Sequence, residues 1–125
     1  MAVAAGNSNV DAASTSPARV SQVLTVGAST IADARASFSN YGSIVDIFAP
    51  GQNIISTWIG STTATNNISG TSMATPHVAG TLAYLLSIYG AQTPAALISR
   101  LKGLAVSGKL SGIPSGTPNL LVSLS

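Results

Sequence analysis

A single serine stands in the setting that nucleophilic catalysis requires. Ser72 lies within the run Gly70-Thr71-Ser72-Met73-Ala74-Thr75-Pro76-His77-Val78-Ala79-Gly80, where a glycine turn leads into an apolar helix. The free N–H groups at such a helix start can stabilise negative charge beside the hydroxyl. Attack by a serine also needs an imidazole base and a carboxylate that orients the base. These partners are scarce, because the chain has one histidine, three aspartates and no glutamate.

The one histidine, His77, follows the serine by five positions on the same predicted helix. At about 100° per residue, the two side chains point roughly 140° apart around the helix axis, so they cannot meet. We therefore predict that His77 is a packed core histidine bonded to local backbone. The alternative is that it takes some part in catalysis.

The nucleophile elbow of the α/β hydrolases is one arrangement that Gly70-Thr71-Ser72-Met73-Ala74 resembles, with alanine at the second glycine. That arrangement places its acid and its histidine after the serine. No aspartate or glutamate follows Ser72, so this hypothesis fails. An acid and a base that both precede the serine remain possible, and they would come from residues before Met1. We therefore expect the chain to be part of a larger domain.

The composition limits both the fold and the partners. Of 125 residues, 46% are hydrophobic and 6% are charged, against about 25% charged residues in an ordinary soluble domain. Such a chain is either the inner part of a larger domain or a secreted domain with a neutral polar surface. The five basic residues are scattered, so nucleic-acid binding has little support. Cysteine is absent, which excludes disulfides and thiolate metal sites.

Neither a membrane segment nor a signal peptide is predicted. Polar residues, glycine and proline interrupt the longest apolar stretch, residues 73–89, which lacks the roughly 20 consecutive apolar residues of a membrane span. The sequence opens on Met1-Ala2-Val3-Ala4-Ala5, without the basic region and the cleavage site of a signal peptide. This opening has the pattern of the middle of a strand.

Three continuous apolar runs in the first half predict strands of a parallel sheet that is covered on both faces. They are residues 2–5, 23–28 and 44–49. We expect further strands at residues 54–59 and 120–122, and loops rich in Ser, Thr and Asn at residues 8–21 and 61–69.

Two helices are predicted in the second half, which makes the expected fold α/β. The first runs from Thr71 to about Tyr89 and is apolar on nearly every face, so we expect it to be central and buried. The second has Thr93 as N-cap and Pro94 at its first position, and it continues to about Leu104 with one apolar face. We expect this second helix to lie at the periphery.

Four motifs in order carry a resemblance to a known family. They are Ala4-Ala5-Gly6-Asn7, Ser37-Phe38-Ser39-Asn40-Tyr41-Gly42, Asp46-Ile47-Phe48-Ala49-Pro50-Gly51 and the run from Gly70 to Gly80. Together they resemble the subtilisin-like serine proteases, and within them the fungal proteinase K and oryzin-type alkaline proteases. The resemblance covers essentially all of residues 1–125. It implies the C-terminal portion, somewhat under half, of a catalytic domain with the parallel-sheet subtilisin-like fold.

The resemblance implies a role for each matching residue. Ser72 is the acylated nucleophile of a serine endopeptidase, and Asn7 forms the oxyanion hole together with the backbone N–H of Ser72. Ala4, Ala5 and Gly6 line the pocket for the substrate side chain before the scissile bond, although tight strand packing also selects small residues. The implied substrates are proteins and peptides.

A structural calcium site is implied as well. Asp46 offers its carboxylate there, and Ser21 and Val23 offer their backbone carbonyl oxygens, which are ligands that suit Ca²⁺. No cofactor is implied for catalysis. The parent enzyme is expected to be extracellular.

Part of the family's machinery lies outside this chain. The triad aspartate and histidine belong to the N-terminal part of the domain, so the chain alone is expected to be inactive and to need that part as its partner. The competing hypothesis is a non-catalytic truncated fragment that acts only as a binding or antigenic module. Asn67-Ile68-Ser69 fits the glycosylation acceptor pattern, and we expect it to stay unused because a glycan there would crowd Ser72.

Overall fold

The apolar runs of the sequence form the centre of a mixed sheet. In the computed structural model, which describes residues 1–124, the strands are β1 Ala2–Ala4, β2 Leu24–Ser29, β3 Ile47–Pro50, β4 Ile54–Thr57, β5 Thr65–Ile68, β6 Val106–Ser107 and β7 Leu120–Leu121. Five of them form one sheet in the order β1-β2-β3-β7-β6. The first four run parallel, and β6 pairs antiparallel with β7. The predicted α/β fold with a parallel-dominated sheet is confirmed.

The unbroken apolar pattern of β2 reflects burial on both faces of the sheet. Leu24, Val26 and Ala28 belong to a core cluster that includes buried side chains of both helices. Phe48 of β3 points to the opposite face, where it packs with Val45 in a second cluster. Strands covered on both sides need no polar alternation, which is why these runs predicted the parallel sheet correctly.

Helix α1, Thr71–Tyr89, crosses the sheet and has the bounds that the sequence predicts. Ala74, Val78 and Leu85 are buried against the strands at helical spacing. The other sides of the helix are open within residues 1–124, where Tyr84 and Ile88, which flank the buried stripe, are 51% and 53% exposed. The helix is therefore central to the described fold but buried along one side only.

Helix α2, Pro94–Leu104, packs beside α1 and covers the same core cluster. The hydroxyl of Thr93 accepts a hydrogen bond from Ala96 N at 3.2 Å, so it caps the helix as predicted. Leu97 and Leu101 are its buried residues, which confirms one apolar face. Neither α-helix within residues 1–124 has both the length and the hydrophobicity to cross a membrane.

The region after β3 differs from the expectation. The strand predicted at residues 54–59 ends at Thr57, and the loop predicted at residues 61–69 contains β5. The two strands pair antiparallel as a hairpin outside the main sheet. Its strands are largely exposed, so their Ser, Thr and Asn residues suit the solvated surface and carry no hydrophobic signal for a strand.

Candidate active site

The start of α1 meets the loop that follows β1, and this junction brings Ser72 and Asn7 together. Gly70 precedes the helix without any side-chain cap, so the first helical N–H groups are open to other partners. Gly70 N donates to Gly51 O at 2.8 Å, which ties the helix start to the end of β3. A Cβ on Gly51 would lie 2.6 Å from that of Ala28, so this close approach requires glycine.

The side chain of Asn7 is fixed by Thr71. Its Oδ1 accepts hydrogen bonds from both the backbone N–H and the hydroxyl of Thr71, each at 2.8 Å. The same hydroxyl oxygen accepts from Gly6 N at 3.1 Å. Since the carbonyl end of the amide takes two donors, the Nδ2 end must be the group that points away from Thr71. Nδ2 has no acceptor within residues 1–124.

Two N–H donors face one small space in front of Gly70. Gly70 has no Cβ, and the position that a Cβ would take there lies in this space. That position is 3.5 Å from Asn7 Nδ2 and 3.7 Å from Ser72 N. No backbone acceptor of the helix uses Ser72 N, because the first N–H groups of a helix have no partner within it. An oxygen placed in this space could accept hydrogen bonds from both donors. The helix dipole at the same place favours negative charge.

Ser72 is exposed at this junction, and its hydroxyl makes no hydrogen bond within residues 1–124. His77 does not contact it. The imidazole Nδ1 lies 2.8 Å from Met73 O, one turn back along the helix. The predicted backbone bond of His77 is therefore confirmed, but its predicted place in the core is wrong, because the residue is exposed within the described part of the chain.

A cavity of about 430 Å³ lies between the β4–β5 hairpin and the first turns of α1. Met73, Pro76 and His77 line it from the helix. Ile54, Trp58, Asn66 and Ile68 line it from the hairpin, together with the rest of β4. This mostly apolar hollow begins one residue after Ser72. Of β5, Asn66 and Ile68 line the cavity and Asn67 does not.

The three small residues before Asn7 have different surroundings. Ala5 is completely buried and packs in the cluster that contains Phe48. Ala4 and Gly6 are half-buried. Tight packing therefore accounts for the small side chain of Ala5. Gly6 has a φ of +104°, and a Cβ there would meet Asn40 Nδ2 at 2.4 Å, so glycine is required on two grounds.

Of the residues that the resemblance assigns to calcium, Asp46 is paired with a lysine. Asp46 Oδ2 accepts a hydrogen bond from Thr25 N at 2.7 Å, and Oδ1 lies 2.5 Å from Lys102 Nζ. Ser21 is exposed and Val23 is half-buried in the loop before β2. Within residues 1–124 no three acidic or histidine side chains gather as a metal site. Both carboxylate oxygens are engaged, so this donor set does not fit calcium as it stands.

Two supporting residues of the site were not singled out in the sequence. Thr71 orients the amide of Asn7, and Asn40 holds the loop on which Asn7 stands. Asn40 is 1% exposed, and its Oδ1 accepts from Ser8 N and Val10 N at 3.0 and 3.1 Å. A polar residue inside the Ser37-Phe38-Ser39-Asn40-Tyr41-Gly42 motif was a signal for such a role, but its partners lie about 30 residues away in the chain.

A protein-family model matches most of this chain. The model is that of the subtilase family, and it matches residues 1–113. The protein therefore belongs to the subtilase family.

Individual relatives agree with this assignment. Alkaline protease 1 of Emericella nidulans is 62% identical over 119 residues, which cover 95% of this chain and 29% of that protein. The cuticle-degrading protease of Metarhizium anisopliae is 58% identical over 121 residues, covering 97% of this chain and 31% of that protein. This chain thus spans about three tenths of the length of the curated relatives it matches.

A solved structure has the same fold. The crystal structure of a cold adapted subtilisin-like serine proteinase matches this chain with a TM-score of 0.91 and 51% sequence identity. The match covers 98% of this chain and 44% of the other. The sheet, the helix that bears Ser72 and the loop that bears Asn7 therefore form a recurring substructure of subtilisin-like proteins.

Proposed function

We propose that this chain supplies the nucleophile and the oxyanion hole of a serine endopeptidase. The observation that carries the proposal is the convergence of Asn7 Nδ2 and Ser72 N on one open space beside the exposed Ser72 hydroxyl. Donors that are fixed before the reaction stabilise the developing charge of a tetrahedral intermediate without reorganisation. Membership of the subtilase family supports the same chemistry.

In the proposed reaction, Ser72 Oγ attacks the carbonyl carbon of a peptide bond while a base removes the hydroxyl proton. The carbonyl oxygen becomes an oxyanion and accepts hydrogen bonds from Asn7 Nδ2 and Ser72 N. The carbon–nitrogen bond then breaks, the proton passes to the leaving amine, and an ester on Ser72 remains. Water then attacks the ester carbon while the base takes its proton, the bond from that carbon to Ser72 Oγ breaks, the proton passes to Oγ, and the carboxylic acid product leaves.

The base and the carboxylate that orients it would come from the part of the domain that this chain does not span. His77 is engaged with Met73 O and makes no contact with Ser72, so it is not placed to act as base. We infer that the assembled enzyme hydrolyses proteins and peptides, and that Ala4 and Gly6 flank the substrate before the scissile bond. The names of the relatives, alkaline protease and cuticle-degrading protease, support an extracellular place of action.

Covalent labelling tests this proposal. The chain is mixed with the remaining part of the catalytic domain of alkaline protease 1 of Emericella nidulans and treated with a fluorophosphonate, which phosphonylates activated serines with loss of fluoride. We expect label on Ser72 in the mixture, and at least 10³-fold slower labelling of the chain alone, since loss of triad members leaves little rate over water.

Ser72→Ala is the matched control, and Ser69→Ala, at an exposed serine three residues earlier, should keep the label. Assembly is verified by size-exclusion chromatography before labelling. If the assembled pair stays unlabelled, or if the label falls on another serine, the proposed nucleophile is wrong. A non-catalytic binding module is the function that would then remain.

A further inference from the structure

The carboxylate of Asp46 is a structural junction between three segments. Asp46 N donates to Thr25 O at 2.9 Å, and Thr25 N donates back to Asp46 Oδ2 at 2.7 Å. The hydroxyl of Thr25 in turn donates to Ala18 O at 2.8 Å in a buried position. The carboxylate of Asp46 thereby holds the start of β2 beside the approach to β3, and Thr25 links this pair to Ala18 in the segment that precedes Ser21 and Val23.

A cation is already in place at this junction. Lys102 reaches from α2 and puts its Nζ 2.5 Å from Asp46 Oδ1. The side chains of Lys102 and Asp46 are 36% and 23% exposed, so the pair is partly shielded from water. A lysine ammonium is a compact point charge, similar to a metal ion in the way it meets a carboxylate.

Calcium and this ammonium compete for the same oxygen. Ca²⁺ binds through six to eight oxygen ligands and depends on carboxylates for most of its affinity. At this junction Ca²⁺ would have to displace Lys102 from Asp46 or bind within a few ångströms of the lysine ammonium. In the second case, repulsion between the two positive charges would weaken the binding of both cations. Ser21 and Val23 add only neutral carbonyl oxygens, so one shared carboxylate would carry the whole attraction.

We propose that Lys102 is the built-in cation of this junction and takes the place that the family resemblance gives to calcium. The loop before β2 and the turn before β3 are then held by a covalently attached charge, whatever the calcium concentration. This proposal concerns stability and does not depend on the proposed catalytic activity.

Calcium titration of the wild type is the first test. Binding is measured by isothermal titration calorimetry and by thermal unfolding at about 10 mM CaCl₂, above the weakest dissociation constants of about 10⁻³ M for extracellular calcium modules. The sample is the chain assembled with its complementary segment, with Ser72→Ala present to stop self-digestion. We expect no binding heat and no change of Tm with calcium or with EDTA. Saturable binding, or a higher Tm in calcium than in NaCl of equal ionic strength, overturns the proposal.

Removal of the lysine charge is the second test. Lys102→Met keeps the aliphatic stem and frees Asp46, so we expect Tm to fall by about 3–6 °C and CaCl₂ to restore part of the loss. The double variant Lys102→Met with Asp46→Asn should lose this response. Lys109→Met is the control, because Lys109 pairs with Asp33 in a more exposed bridge on another surface. If Lys102→Met gains no stability from calcium, whether it folds or not, the lysine does not stand in for the ion.

Discussion

Replacement of Asn7 can distinguish loss of the proposed oxyanion hole from a general loss of stability. Its Nδ2 has no partner within residues 1–124, while its Oδ1 has two. Asn7→Ala removes the donor, and loss of one such donor in subtilisin lowers kcat by about 10²–10³. We expect a fall of that size in the assembled enzyme with KM changed less than about threefold, because the donor acts mainly in the transition state. Steady-state kinetics on a peptide substrate measures both constants, and an unchanged kcat would exclude Asn7 from the reaction.

Thr71 should act on the same step by keeping the amide of Asn7 in one orientation. Thr71→Val keeps the shape of the side chain but removes the hydroxyl that donates to Asn7 Oδ1 and accepts from Gly6 N. The amide can then rotate, so we expect kcat to fall about 10-fold, a fraction of the loss for Asn7→Ala. Thr71→Ser retains the hydroxyl and should retain most of the activity. Equal losses in the two variants would mean that packing, and not the hydrogen bond, matters at this position.

The loop between β1 and the short 3₁₀ helix at Ala12–Ser14 depends on one buried side chain from a distant segment. Asn40 Nδ2 donates to Ala5 O at 2.8 Å, and Asn40 Oδ1 accepts from Ser8 N and Val10 N. Both ends of the amide are thus used on the two sides of Asn7. Hydrogen bonds from Asn40 therefore hold the loop on both sides of Asn7, although the loop sequence is rich in serine and asparagine.

A double-mutant cycle tests whether this clamp serves the oxyanion hole. Asn40→Ala leaves two N–H groups and one carbonyl without partners, so we expect a loss of about 2–5 kcal/mol in stability and a lower kcat. Rates are divided by the concentration of active sites titrated with fluorophosphonate, which removes the unfolded fraction. Once Asn7 is already alanine, Asn40→Ala should change kcat little further. Independent, multiplicative losses would show that Asn40 supports the fold without positioning Asn7.

How far the sequence predicts an element depends on how much of it is buried. The bounds of α1 follow from its apolar spacing and Gly90, and buried strands follow from apolar runs such as residues 23–28, which predicted β2 at Leu24–Ser29. Strand β5 was missed because an exposed hairpin strand carries no such run. His77 was misplaced because apolar neighbours in sequence do not show which side of a helix is covered. Ser72 and Asn7 were singled out through motifs, whereas the bond that holds Asn7 beside the helix start joins residues 64 positions apart.

For the whole molecule, the open side of α1 indicates where the rest of the domain would pack. Tyr84, Leu86, Ile88 and Tyr89 are each between 38% and 53% exposed, on both flanks of the buried stripe, and we expect further contacts to cover apolar side chains exposed in this number. The chain spans only 29% to 31% of the relatives described above, so their further residues are the partner we expect for it.

The isolated chain should therefore bind the dye ANS and self-associate, and the complementary segment should suppress both. Ile88→Lys should make the isolated chain more soluble and weaken its assembly by at least 10-fold, because a charge would be buried in the contact. Ile31→Lys, at a fully exposed residue outside the helix, is the matched control and should leave assembly unchanged. Sedimentation velocity and dye fluorescence measure the outcome. A soluble monomer with a sharp, reversible thermal transition would contradict this picture.

The hydrogen bonds from Thr71 to Asn7 and from Gly6 to Thr71 span 64 and 65 positions of the chain. In an unfolded or damaged polypeptide, the helix that bears Ser72 can be present while these distant partners are still apart. Until these hydrogen bonds form, the amide of Asn7 is not held in the orientation that would stabilise the oxyanion produced by attack of Ser72. Under the proposed function, we expect hydrolytic activity only after these long-range hydrogen bonds have formed, so that incompletely folded copies would not digest one another.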